Sequence, residues 1–333
     1  MSALRGVAAT LIASVTVIAS VTVSAIVTLS LSKGAPASAA TASEPLLVAT
    51  PQVLVFVDGN ARKVAGAGTL ARGFRILGAV ADGSVVVAYY DANAATVEAI
   101  GRDLSPRAVK KFGVLPIAFI APSNDGFLAY DGSLLRRYDL HGSLIGQPIA
   151  PVGARDAIGF ADAIVVITSG RLGIYDRDGR LRHQMVIAAD RLVALPGDRF
   201  AVTDTRNSEV RVYTTALELK STLRFPNRQL LAVAAGPDGA LAVANGHASC
   251  TLPDVEVDVF DDINAQPTAR MRTDVGTPVA LAVGASGIYV VNAPCRAGDD
   301  GFISAFGRDG GAHEIIRNVG TPTGLIPFGA ARQ

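Results

Sequence analysis

Past residue 44 the sequence predicts an all-β protein: a β-propeller of seven four-stranded blades, closed by its N- and C-terminal strands in one blade and preceded by an N-terminal apolar helix. Three observations predict it. Short apolar runs ending in a small polar residue recur about every 40 residues, within the range of propeller blades. Each run is flanked by further short strands and Gly-rich turns. The first and last units are each incomplete, and their missing parts match.

The recurring strand ends at Thr50, Asp91, Asp131, Ser169, Asp204, Asn245 and Asn292, in runs such as GFLAYD, RFAVTD, ALAVAN and GIYVVN. Before it comes an apolar strand and a tight turn, as in LAVAAGPDG, where Asp-Gly supplies the positive φ that hairpins need. After it comes a hairpin of two more strands, with an aromatic residue just before the turn: Phe56, Tyr138, Tyr175, Tyr213, Phe260 and Phe306. Each unit therefore reads as an antiparallel meander of strands A to D. TGLIPFGA near the C-terminus reads as a strand A with nothing after it, and EPLLVAT near the N-terminus as a strand B with nothing before it. Pairing the two closes the ring and removes two exposed sheet edges. Rings of six or eight blades are the fallback count.

Residues 7–32 are apolar and uncharged, lie between Arg5 and Lys33, and precede a small-residue tract with Ala37-Ser38-Ala39. Residues 1–33 read as a signal peptide or a signal-anchor helix, 34–43 as a linker and 44–333 as the propeller domain. Either reading places the propeller outside the cytoplasm, periplasmic or secreted, and an uncleaved segment anchors it in the inner membrane. The formal net charge of +1, with 18% charged residues, argues against a nucleic-acid partner. The expected partner is an envelope protein or a small anionic ligand, and the expected state is a monomer.

The units resemble NHL-type and SMP-30-type propeller repeats. The likeness rests on RFAVTDTRNSEVRVYT (199–214), on GPDGALAVAN (236–245) and on VEVDVFD (255–261). Asn245 and Asn292 stand where that pattern prefers Asp. Such propellers are binding scaffolds, and some are lyases or lactonases, so the resemblance implies a fold more than a reaction.

The two cysteines, Cys250 and Cys295, follow strand B of neighbouring units and share one face. In an exported protein they read as a disulfide; the alternatives are two free thiols or a metal pair. The same face carries the B–C and D–A loops. Arg75, Arg155, Arg191 and Arg228 fall on its D–A side, and Asp204, Asn245 and Asn292 on its B–C side. Arginine offers planar bidentate donors to a carboxylate or phosphate. The competing reading is that these arginines pair with Asp156, Asp190 and Asp204 and only tie blades together. Oxygen ligands from Asp204, Asn245 and Asn292 would suit a calcium-like ion at the channel mouth. No catalytic residue, metal site or cofactor is assigned. The expected activity is a binding or scaffolding module acting through the B–C and D–A loops. The alternative is a metal-assisted hydrolase or lyase of the lactonase type.

Overall fold

In a computed structural model the described residues run from 44 to 327, apart from 52, 59–60, 68–73, 80–83, 91–93, 114–116, 252–253, 262–265, 275, 297–298 and 312. They are all-β. In chain order the strands are β1 (Leu46–Ala49), β2 (Val53–Asp58) and β3 (Ala61–Ala67); β4 (Phe74–Ala79), β5 (Val85–Tyr90), β6 (Ala95–Ile100) and β7 (Pro106–Phe112); β8 (Phe119–Ser123), β9 (Gly126–Tyr130), β10 (Leu135–Asp139) and β11 (Leu144–Ile149). There follow β12 (Asp156–Gly159), β13 (Ala163–Thr168), β14 (Arg171–Asp176) and β15 (Leu181–Val186); β16 (Arg191–Ala194), β17 (Arg199–Asp204), β18 (Glu209–Thr214) and β19 (Leu219–Arg224). The chain ends with β20 (Gln229–Ala235), β21 (Leu241–Gly246), β22 (Val255–Phe260) and β23 (Ala269–Arg272); β24 (Thr277–Val283), β25 (Gly287–Ala293), β26 (Phe302–Gly307) and β27 (His313–Ile316); and β28 (Gly324–Pro327).

Five sheets are four-stranded: β28-β1-β2-β3, β4 to β7, β16 to β19, β20 to β23 and β24 to β27. The other eight strands form one sheet, in the order β11-β10-β9-β8-β12-β13-β14-β15. This corrects the expected seven separate four-stranded blades: among the described residues there are five, beside one double-width sheet. The join is a parallel bridge between Ser123 and Gly159. A Cβ on Gly159 would lie 2.2 Å from the Ser123 hydroxyl, so only glycine lets β12 approach β8 this closely. The expected N-terminal apolar helix also finds no support. Residues 7–32 lie outside the described residues, and among the described residues there is no helix and hence none long and apolar enough to cross a membrane.

β28 pairs antiparallel with β1, with Leu325 opposite Val48 and Ile326 opposite Leu47. The inner strands β4, β8, β12, β16, β20, β24 and β28 neighbour one another in turn around a central channel, β28 lying next to β4. The period-2 pattern explains the packing, because both faces of each middle strand are apolar. In β17, Phe200 and Val202 pack towards Ile158, Val165 and Ile174 of the preceding meander. Ala201 faces the other way, into a cluster with Leu241 and Val243 of the following one. The recurrent aromatics sit in these layers, with Tyr138 stacked on Phe127 at 5.2 Å and Tyr213 on Phe200 at 6.0 Å. Because the meanders are antiparallel, the D–A and B–C connections emerge on one face of the ring and the A–B and C–D turns on the other.

Candidate functional site

The channel widens into two chambers that share Ile76, Leu192, Val193, Val233, Leu281 and Leu325. The one at the A–B end, about 550 Å³, is lined by aliphatic residues and by turns such as Leu195-Pro196-Gly197. The one at the loop-rich end, about 450 Å³, is two-sided. Asp156, Arg191, Thr203 and Thr205 form one wall, and Leu230, Val233, Val279, Leu281 and Leu325 the other.

Local structure fixes the polar wall. Asp156 opens β12 and is 4% exposed; its Oδ1 accepts the Ala157 amide at 3.0 Å and its Oδ2 the Leu192 amide at 2.9 Å, clasping β12 to β16. Asp190, just before β16, accepts both the amide and the hydroxyl of Thr205, at 2.7 and 2.5 Å. Burial pushes the Asp190 carboxyl up, but the Thr205 hydrogen bonds and the nearby Arg206 and Arg155 guanidiniums outweigh it. The result lies below the usual carboxylate range. Arg155, Arg191 and Arg206 are exposed and make no ion pair among the described residues. Thr203 is 4% exposed, yet its hydroxyl has no hydrogen-bond partner among the described residues.

The other expected residues lie elsewhere. Arg75 sits on β4, but its side chain is outside the described residues. Arg228 is committed to structure: Nη1 lies 3.2 Å from Glu256, and Nη2 donates to the carbonyls of Asn245 and Asp254. Asp204 accepts the Asn207 amide at 3.1 Å and its side-chain Nδ2 at 2.7 Å. Asn245 and Asn292 are each 0% exposed. Asn245 donates to Asp258 at 2.9 Å; Asn292 donates to Ser304, whose hydroxyl reaches Asp274, which also meets His313 at 2.8 Å. Each of the three side chains is held inside its own sheet, and none lines a chamber, so they do not converge on a common ion.

Cys250 and Cys295 form a disulfide with Cα atoms 5.5 Å apart. It joins the β21–β22 loop to the β25–β26 loop, so the staple lies on the loop-rich face. The Cys250 loop is also bridged by Ser249 to Gly276, at the foot of β24, and closed within itself by His247 and Asp254 at 3.1 Å. The sequence reading missed Thr203 and Thr205 as chamber residues. The sequence carried little signal for it: Thr203 in RFAVTD stands where ALAVAN and GIYVVN carry Ala244 and Val291, but AIVVITS carries Thr168 at the same place.

Neither a known family model nor a curated protein matches the chain. Solved structures do. The apo form of AztD from Citrobacter koseri is 11% identical with a TM-score of 0.61, over 85% of this chain and 97% of that one. Kluyveromyces lactis Hsv2 is 13% identical with a TM-score of 0.54, over 83% and 95%. The WD40 repeats of RRP9 are 10% identical with a TM-score of 0.55, over 85% and 89%. The chain has the β-propeller fold. At these identities the likeness carries the fold alone. A specific kinship to NHL-type or SMP-30-type repeats is not shown.

Proposed function

We infer that the protein is an extracytoplasmic binding or scaffolding module that works through its B–C and D–A loop face. The observation that carries this reading is exposed Arg191 on the lining of the loop-end chamber, with exposed Arg155 and Arg206 near Asp190, the residue just before it. Exposed guanidiniums are poised for an anionic ligand or an acidic patch on a protein. The disulfide supports an oxidising compartment and stiffens the rim around the mouth. On the opposite face Arg308 is spent on Asp238 at 2.6 Å. No cofactor enters this reading.

The test is position-specific photo-crosslinking in the producing cell. A photoreactive residue at position 206 should give a discrete adduct that one at position 178, on an exposed C–D turn, does not. Adducts from position 178 alone, or equally from both, would refute the assignment of the working face.

A further inference from the structure

The loop-end chamber has features that a general docking face does not require. Its two walls differ in kind: Asp156, Arg191, Thr203 and Thr205 stand opposite Leu230, Val233, Val279, Leu281 and Leu325. Val279 is 44% exposed although it lies on an inner strand. Thr203 keeps a buried hydroxyl with no partner among the described residues, at the polar wall beside Arg191. A buried polar atom left unmatched is costly, and a ligand oxygen would relieve it.

We propose that this chamber binds a small aliphatic monocarboxylate, with its carboxylate on Arg191 and Thr203 and its chain against the Val279–Leu281 wall. The inference rests on reading the loop-rich face as the working one. The charges on the chamber's lining favour a monoanion. Arg191 and Asp156 are the charged residues there, so one guanidinium can match one carboxylate, and a dianion such as phosphate would meet the Asp156 carboxylate with its second charge unmatched. The apolar wall selects a chain over a bare anion, since each buried methylene adds to affinity. Arginine supplies the paired donors that a planar carboxylate accepts, and Thr203 supplies a third.

Isothermal titration of the purified propeller with acetate, butyrate, hexanoate, hexylamine and inorganic phosphate tests this. Hexanoate should saturate one site, with affinity rising by up to about fourfold per methylene along the carboxylate series. Hexylamine and phosphate should not compete for it. Arg191→Gln should weaken hexanoate by about tenfold or more, and the near-isosteric Thr203→Val by a smaller factor. Arg191 is exposed, so the first variant should keep the parent's unfolding midpoint, and Arg191→Lys should restore part of the binding. Equal binding of hexylamine, no dependence on chain length, or full hexanoate affinity in Arg191→Gln would overturn the proposal. Crosslinking from position 206 with no hexanoate binding would sink the chamber proposal and leave the docking face. Hexanoate binding without that crosslinking would do the reverse.

Discussion

Two junctions in the ring are tied in opposite ways. Between the β8–β11 and β12–β15 meanders the backbone itself makes the join. Gly159 bridges Ser123, the Asn124 amide donates to the Gly159 carbonyl at 3.0 Å, and buried Arg137 reaches from β10 to Asp125 and to the Ala161 carbonyl in the next meander's turn. All of this lies towards the A–B and C–D face. Between the β20–β23 and β24–β27 meanders the join is covalent, and it lies on the other face, out in the loops. The first tie closes sheet to sheet. The second stiffens a rim and leaves the channel mouth open. The molecule is thus stitched internally at one end and externally at the other, and exposed Arg191 lies at the externally stitched end.

The largest effect should come from breaking a third tie, the β28–β1 pairing that closes the ring. Deleting residues 323–333 removes β28 and exposes the edge of β1, so the cooperative urea transition should be lost. A truncated protein that unfolds like the parent would show that closure is not what holds the two junctions in one ring. Next comes the covalent tie. Replacing both Cys250 and Cys295 with serine frees a 45-residue separation, which should lower stability on the order of 4 kcal/mol in the chain-entropy account while the sheets persist by circular dichroism. A loss well under 1 kcal/mol would mean the rim is already ordered by the Ser249–Gly276 bridge.

The backbone tie should respond more weakly. Gly159→Ala forces a methyl group against Ser123 and should cost about 2 kcal/mol, and Ser123→Gly in the same chain should recover part of that. Denaturant titration of the single and double variants measures the coupling. No coupling would mean that the double-width sheet does not depend on this approach.

The smallest effect is a pH response at the closure. Tyr289 is buried and its hydroxyl meets Glu44 at 3.3 Å; burial first, and then the Glu44 charge, push its phenol up to about 12. A folded-state value above the unfolded one favours the protonated form. The contribution is therefore fully present below about pH 10 and is lost as pH climbs from 10 towards 12. Tyr289→Phe should flatten the loss by about 1–2 kcal/mol over that interval, read from urea melts at each pH. An unchanged slope would place the alkaline sensitivity elsewhere.

Much of this was legible in the sequence because it rests on local rules. Alternating apolar strands and Asp-Gly turns betray an all-β meander, and two cysteines at equivalent places in neighbouring units betray a disulfide. The merging of two meanders was not legible. Gly159 sits in AIGFAD like any strand-end residue, and only the approach of Ser123 gives its missing side chain a consequence. The arginine series was half legible. Arg191 lines the loop-end chamber, but Arg228 is absorbed by Glu256 across its own sheet, a pairing that depends on register rather than on spacing. Asn245 and Asn292 look available at strand ends, yet Asp258 and Ser304, placed diagonally on strand C, take up their amides.

The account turns on where a ligand sits. The most direct measurement is a crystal structure of the protein soaked with a bromohexanoate that carries its halogen at the far end of the chain. The anomalous bromine signal should lie against Val279 and Leu281, with the carboxylate at Arg191 and Thr203. A bromine peak confined to the A–B end chamber or to the outer strands would contradict it.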